Sequence, residues 1–230
     1  MLISYLFLLG ACLGSFITCT ATRHALNQSQ LGQRSMCDYC GVNIPWRDLI
    51  PIYAYLRLRG HCRFCKGQFP AYSFIFECSL AIMLPLTFAK LSPPLFILVT
   101  AFLFYLTFLS VMDFTNRLIS SRLTIGGGLI FIVWHYLLLG LPDSLLEILL
   151  FSLFLFTLCF QQKMGVGDFI LLLVIQLTFG IHFCLIVTLC ACVSALLYFI
   201  CANQTRYQIF AFVPHLTLGT YLTFALSFYM

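Results

Sequence analysis

Long apolar runs recur along the chain, separated by short polar turns. Eight are read at about 2–20, 72–89, 94–112, 122–140, 144–160, 168–180, 182–201 and 210–229; all but the short sixth come near the twenty or so residues that span a bilayer as a helix. A transmembrane barrel would show short alternating segments instead. The pattern predicts an all-α polytopic membrane protein with about eight transmembrane helices and one polar, cysteine-rich loop. Only Gly180-Ile181-His182 separates the sixth run from the seventh. A single kinked helix there would leave seven spans and carry the C-terminus to the other side. The first run lacks a basic segment ahead of its apolar core, so it is expected to stay as a helix rather than be cleaved as a signal peptide.

Composition agrees. Apolar residues make up 62% of the chain and charged residues 8%, with a mean hydropathy of +1.02; soluble domains carry about a quarter charged. Basic residues fix the expected orientation. With the N-terminus outside and the spans alternating, Arg23, Arg34, Arg47, Arg57, Arg59, Arg63, Lys66, Arg117, Arg122, Lys163 and Arg206 share one face, and Lys90 alone lies on the other. The first face is therefore expected to be cytoplasmic. Asp143 and Glu147 fall on the outer face. The net charge of +5 follows from this topology and implies no nucleic acid. The chain reads as a first helix (1–20), a cytoplasmic loop (21–71) and a helical bundle (72–230). The loop holds seven of the twelve basic residues, which suits a position near anionic headgroups, so membrane lipids are expected partners.

The same loop holds Cys37-Asp38-Tyr39-Cys40 and Cys62-Arg63-Phe64-Cys65, two pairs separated by twenty-one residues. Each pair can grip one ion from a tight turn, and the second closes a tetrahedron, so Cys37, Cys40, Cys62 and Cys65 are candidate ligands of a structural zinc. A loop of this length builds little core, and a metal would supply its fold. A redox pair and idle thiols are the alternatives; a cytoplasmic location disfavours stable disulfides. The other eight cysteines lie in apolar runs, where Cys packs as a small hydrophobe. His24 and His61 lie in the loop but are expected to be solvated or outside the ligand set. His215 is expected to be interfacial.

Carboxylates are scarce, seven in all. Asp113 ends the third run, Asp168 opens the sixth, and Glu77 lies one turn into the second. The topology sets all three at the cytoplasmic rim. An acid inside a membrane span is costly and favours function. Facing each other, Asp113 and Asp168 would share a proton: one ionised to activate water, the other protonated to polarise a carbonyl. Gly165 and Gly167 flank the entry to Asp168 and would let it sit close against a facing helix. The plain alternatives are a solvated Asp113 beside Arg117, and Asp168 as a helix cap.

These residues, in this order, resemble the type IV prepilin leader peptidases. The resemblance runs over nearly the whole chain: Gly14-Ser15-Phe16 and Arg23; Arg34-Ser35-x-Cys37-x-x-Cys40; Arg59-Gly60-x-Cys62-x-x-Cys65; Tyr72 and Glu77; Asp113 with Leu118-Ile119 and Leu123-Thr124; Met164-Gly165-x-Gly167-Asp168; Phe212-x-Pro214-x-Leu216-x-x-Gly219. The short single-chain form looks most like the Gram-positive competence members. The resemblance implies an aspartic endopeptidase that removes the leader from prepilins or pseudopilins at the cytoplasmic face. Asp113 and Asp168 would be its catalytic pair, and the four loop cysteines would hold zinc. It also implies methylation of the new N-terminus with S-adenosylmethionine, although no glycine-rich nucleotide motif accompanies it.

Two departures stand out. Ile170 lies where many relatives have lysine, and Ser120-Ser121 where many have proline followed by an acidic residue or Asn. Rival readings are an intramembrane aspartyl protease of the presenilin type, which also uses Gly-x-Gly-Asp, a metal or proton transporter, and a non-cutting assembly subunit. The paired-cysteine loop argues against the first. Acids at one rim rather than at the midplane argue against the second. Only an activity measurement separates the third.

Overall fold

The computed structural model describes residues 1–29, 34–37, 39–117, 120–140, 145–201 and 211–227. Asp38, Leu118, Ile119, Asp143 and Arg206, named above, lie outside them. The described helices are α1 (Leu2–Ala25), α2 (Tyr53–Leu58), α3 (Ala71–Lys90), α4 (Pro93–Asn116), α5 (Ser121–Leu139), α6 (Leu145–Phe160), α7 (Val166–Phe179), α8 (Ile181–Cys201) and α9 (Val213–Ser227), with a 3-10 turn at Trp46–Asp48. Among the described residues no strand forms; two isolated bridges, Met36 with Asn43 and His61 with Gln68, lie in the polar loop.

Every apolar run of the sequence carries a helix. Five of them, α1, α3, α4, α5 and α8, are long and apolar enough to cross a membrane. The 14 residues of α7 rise only about 21 Å, short of a hydrocarbon core of about 30 Å. Large apolar side chains face outward on these helices, as Leu137, Leu149, Leu153 and Leu196 do. Such a surface is costly in water and suited to lipid. The chain is an all-α polytopic membrane protein.

The chain divides into two compact units, Met1–Lys90 and Leu91–Met230. In the first, α1 packs on α3. The contact face of α1 runs through Leu6, Gly10, Gly14, Thr18, Ala21 and Ala25, mostly small residues one turn apart. Small residues let helix backbones approach closely inside membranes. A β-carbon at Gly10 would lie 2.5 Å from the Leu80 carbonyl oxygen, and one at Gly14 would lie 3.0 Å from Glu77 Cα.

In the second unit α4 packs on α5 and α9, α7 on α5, α6 and α8, and α8 on α9. Phe102, Leu106, Leu109, Leu171, Ile175 and Leu216 form the centre of its core. Buried polar groups tie the helices. Thr107 Oγ1 and Tyr221 OH lie 2.7 Å apart, Tyr105 OH donates to the Thr124 carbonyl at 2.8 Å, and Gln176 Nε2 donates to the Ile148 carbonyl at 2.8 Å. Gly180 takes φ 87°, open to glycine at no cost, and separates α7 from α8. The Cys184 thiol reaches to 3.7 Å from the Leu172 carbonyl oxygen. Twelve residues along a continuous helix would span about 18 Å. The two helices therefore fold back on each other, and the kinked-helix alternative does not hold.

Candidate active site and metal centre

The second unit holds both Asp113 and Asp168, near enough for their charges to interact. Asp113 lies in the last turn of α4 and is buried, 6% exposed. A carboxylate at a helix C-terminus faces the negative end of that helix. The start of α9 compensates: the backbone N–H of Val213, the first residue of that helix, donates to Asp113 Oδ2 at 3.2 Å. Asp168 lies in the first turn of α7, where a negative charge is favoured. It is half-buried, and the charge of Asp113 acts on it directly as a like-charge repulsion. Two carboxyl groups from different helix ends thus share one electrostatic environment, which is what a proton-sharing pair requires.

Neither plain alternative describes these acids. Among the described residues no ion pair joins Asp113 to Arg117, whose backbone closes α4 in a left-handed turn. Asp168 caps nothing: the cap of α7 is Gly165, and no side chain caps it. The role of Gly165 is space rather than backbone freedom, since its cap φ is an ordinary −66°. A β-carbon there would lie 3.2 Å from Asp168 Oδ2, so glycine leaves room for the carboxyl to fold back over the turn. Gly167 lies inside the same first turn.

Sequence reasoning missed the Val213 donor, because a backbone amide has no side-chain signature; the Phe212-x-Pro214 pattern marking a helix start was its only trace. His215, expected at the membrane interface, is buried against neighbouring helices. Its Nδ1 lies 3.0 Å from Ser194 Oγ and pins α9 to α8. One turn before Asp113, Ser110 is fully buried, with no hydrogen-bond partner for its hydroxyl among the described residues.

Glu77 lies in the first unit. It is 8% exposed, and its Oε2 accepts the Ile52 N–H at 2.9 Å.

The four loop cysteines also converge in the first unit. Their Sγ atoms all lie within 4.8 Å of one another, and those of Cys37 and Cys65 are 3.7 Å apart. A zinc tetrahedron with bonds of about 2.3 Å has sulfur–sulfur edges of about 3.8 Å. The two pairs are built alike. The N–H of Cys37 donates to the Val42 carbonyl and that of Cys62 to Gly67; Gly41 closes back on Cys37 as Lys66 does on Cys62. Gly41 and Lys66 both take positive φ to close these knuckles. The backbone N–H groups of Cys65 and then Phe64 draw the Cys62 thiol down from 9.0 to about 7, towards the thiolate a metal needs. His61 turns its Nδ1 to the Arg59 carbonyl oxygen, at 2.7 Å. Arg63, inside the second knuckle, grips Asp48 through two hydrogen bonds of 2.8 and 2.6 Å.

Comparisons with known proteins bear on both units. Residues 8–91 match the Bacterial Peptidase A24 N-terminal domain, and residues 97–200 match the Type IV leader peptidase family. Three relatives share the name prepilin leader peptidase/N-methyltransferase. The Myxococcus xanthus protein is 43% identical over 61 residues, 26% of this chain and 18% of that one. The Vibrio cholerae protein is 35% identical over 92 residues, 40% of this chain and 36% of that one. The Bacillus subtilis protein is 32% identical over 84 residues, 35% of this chain and 34% of that one. Each match thus spans well under two thirds of the relative's length. No solved structure matches the chain significantly. The two matched regions meet where the two structural units divide, and together they take in both the cysteine cluster and the aspartate pair: the chain belongs to the type IV leader peptidase family.

Proposed function

We propose that this chain is an aspartic endopeptidase that removes the leader from prepilins or pseudopilins at the cytoplasmic rim of the membrane. The observation that carries the reading is the pairing of Asp113, buried at the end of α4, with Asp168, at the start of α7, within reach of its charge. Two carboxylates so placed favour sharing one proton. The ionised member takes a proton from water, and the water oxygen adds to the peptide carbonyl carbon. The protonated member gives its proton to the carbonyl oxygen. The tetrahedral adduct then collapses: one of its hydroxyls returns a proton to the aspartate that had given one, the C–N bond breaks, and the amine leaves with the proton taken from water. The Val213 N–H steadies negative charge on Asp113, and Gly165 gives Asp168 room to turn.

The excess of basic residues on the predicted inner face supports a cytoplasmic site. The match between the sulfur spacings and a tetrahedron supports a structural zinc on Cys37, Cys40, Cys62 and Cys65. Its chemistry is to lock the two knuckles together. The names of the relatives support a second activity, methylation of the new N-terminus from S-adenosylmethionine. No residue is assigned to it.

The test is co-expression with a prepilin-like substrate, with leader removal followed by mass spectrometry. Wild type is expected to cleave, and Asp113→Asn and Asp168→Asn are expected not to, at equal protein levels. The product mass reads out any added methyl group. Cleavage retained by either variant overturns the assignment of the pair.

A further inference from the structure

The first unit contains a cleft that the aspartate pair does not use. It has a volume of about 180 Å³ and lies between the start of α3, the short α2 and the Leu49–Ile52 segment. Its walls are mostly apolar: Tyr55 and Phe74 stack face to face, 4.6 Å apart, along one side, with Leu58 and Phe69 beside them. Its polar lining includes the Glu77 carboxyl and the Ser15 hydroxyl.

The backbone of this cleft is strained for a purpose. Ile52 takes φ 63° and ψ −55°, a conformation that β-branched residues avoid. It is the centre of a tight γ-turn closed by Tyr53 N–H to the Pro51 carbonyl at 2.6 Å, a rare and strained form. That turn aims the Ile52 N–H at Glu77 Oε2. Strain held in place by its surroundings clusters at ligand sites. Burying a carboxylate costs several kcal/mol unless it is paired. One neutral donor, the Ile52 N–H, meets Glu77, and among the described residues no ion pair does.

We infer that this cleft binds an ammonium group carried on an apolar body the size of one side chain, with the cation on Glu77 and the body against Tyr55 and Phe74. The volume sets the size: an engineered cavity of about 150 Å³ holds one benzene. The stacked rings add an aromatic face that attracts cations. The same chemistry could come from the N-terminus of a peptide beginning with an aromatic residue, or from a lysine side chain, whose stem is apolar and head charged.

The inference rests on the first unit alone. Its test uses the full chain carrying both Asp113→Asn and Asp168→Asn, so it stands or falls separately from the peptidase reading. Phenethylamine and its neutral counterpart phenylethanol are titrated in detergent, with empty micelles as control. The amine is expected to bind at least tenfold tighter than the alcohol, and Glu77→Gln is expected to erase that preference. The amide oxygen introduced by Glu77→Gln keeps an acceptor for the Ile52 N–H, and an unchanged unfolding temperature shows the variant folded. Three further probes separate the sources. A short peptide with a free N-terminal phenylalanine, bound alone, assigns a chain terminus. An N-acetylated peptide with one lysine, bound alone, assigns the side chain. Phenethylamine bound without either assigns a free small amine. Equal binding of amine and alcohol, or an amine preference that survives Glu77→Gln, overturns the inference.

Discussion

The backbone N–H of Val213 donates to the carboxylate of Asp113 from one hundred residues along the chain. It joins the start of α9 to the end of α4 and directs a helix N-terminus at the acid proposed as catalytic. Val213→Pro removes this donor at the first position of a helix, to which proline is well suited. A hydrogen bond to a charged group contributes about 1.5–3 kcal/mol. Val213→Pro is therefore expected to lower kcat/KM about 10- to 100-fold. Val213→Ala, which trims the side chain but keeps the N–H, should stay within a few-fold of wild type. Equal cleavage rates for the two variants would show that the bond has no part in catalysis.

Gly10 and Gly126 make opposite predictions from the same substitution. A β-carbon at Gly10 meets the Leu80 carbonyl oxygen at 2.5 Å, whereas one at Gly126 meets nothing within 4 Å. Gly10→Ala forces α1 away from α3 and is expected to cost about 1–3 kcal/mol, as overpacking does. Gly126→Ala, on the exposed face of α5, is expected to gain up to about 1 kcal/mol from helix propensity. Thermal unfolding in one detergent checks both. Shifts of the same sign would mean that the α1–α3 contact is looser than described.

What the sequence made legible was local or periodic. Eight apolar runs became helices because length and hydropathy are summed over many residues. The cysteine cluster was readable because each knuckle is closed by hydrogen bonds within six residues, so spacing alone carries its geometry. Topology set Asp113 and Asp168 at one depth but did not make them neighbours, and the helix-start donor that holds the first of them has no side-chain signature. Asp168 had a plain alternative as a cap, and it gave way because Gly165 occupies that position. The strained turn at Ile52 left no trace, since nothing in an isoleucine announces positive φ. The choice between a kink and a hairpin near Gly180 rested on a long-range contact, Cys184 with Leu172, that no local pattern contains.

Asp48 and Arg63 tie the second knuckle to the 3-10 turn. The Asp48 side chain is 3% exposed and that of Arg63 is 41% exposed. The fork geometry fits arginine, and lysine cannot reproduce it. Asp48→Asn is expected to destabilise the loop by about 1–2 kcal/mol, discounted because Arg63 is partly solvated. Arg63→Lys should fall between that variant and wild type. The more sensitive readout is metal escape: zinc transfer to a coloured chelator should be several-fold faster from Asp48→Asn. An unchanged transfer rate would mean that the pair does not brace the knuckle.

The Cys62 thiol predicts a pH dependence for the candidate metal site. Hydrogen bonds from the Cys65 and Phe64 backbone hold it at about 7, against an ordinary 9.0. A group whose folded value is depressed contributes stability above its unfolded value and loses it as pH falls through the folded value. In metal-free protein this contribution should be complete above about pH 9 and fade towards about pH 7. A bound metal holds its thiolates against protons and moves the loss to lower pH. The expected result is an unfolding temperature that rises between about pH 7 and 9 after chelation but is nearly flat with zinc loaded. Cys62→Ser should remove about one zinc per chain and with it the difference between the two curves. Superimposable curves from zinc-loaded and chelated wild type would exclude a metal on these four sulfurs.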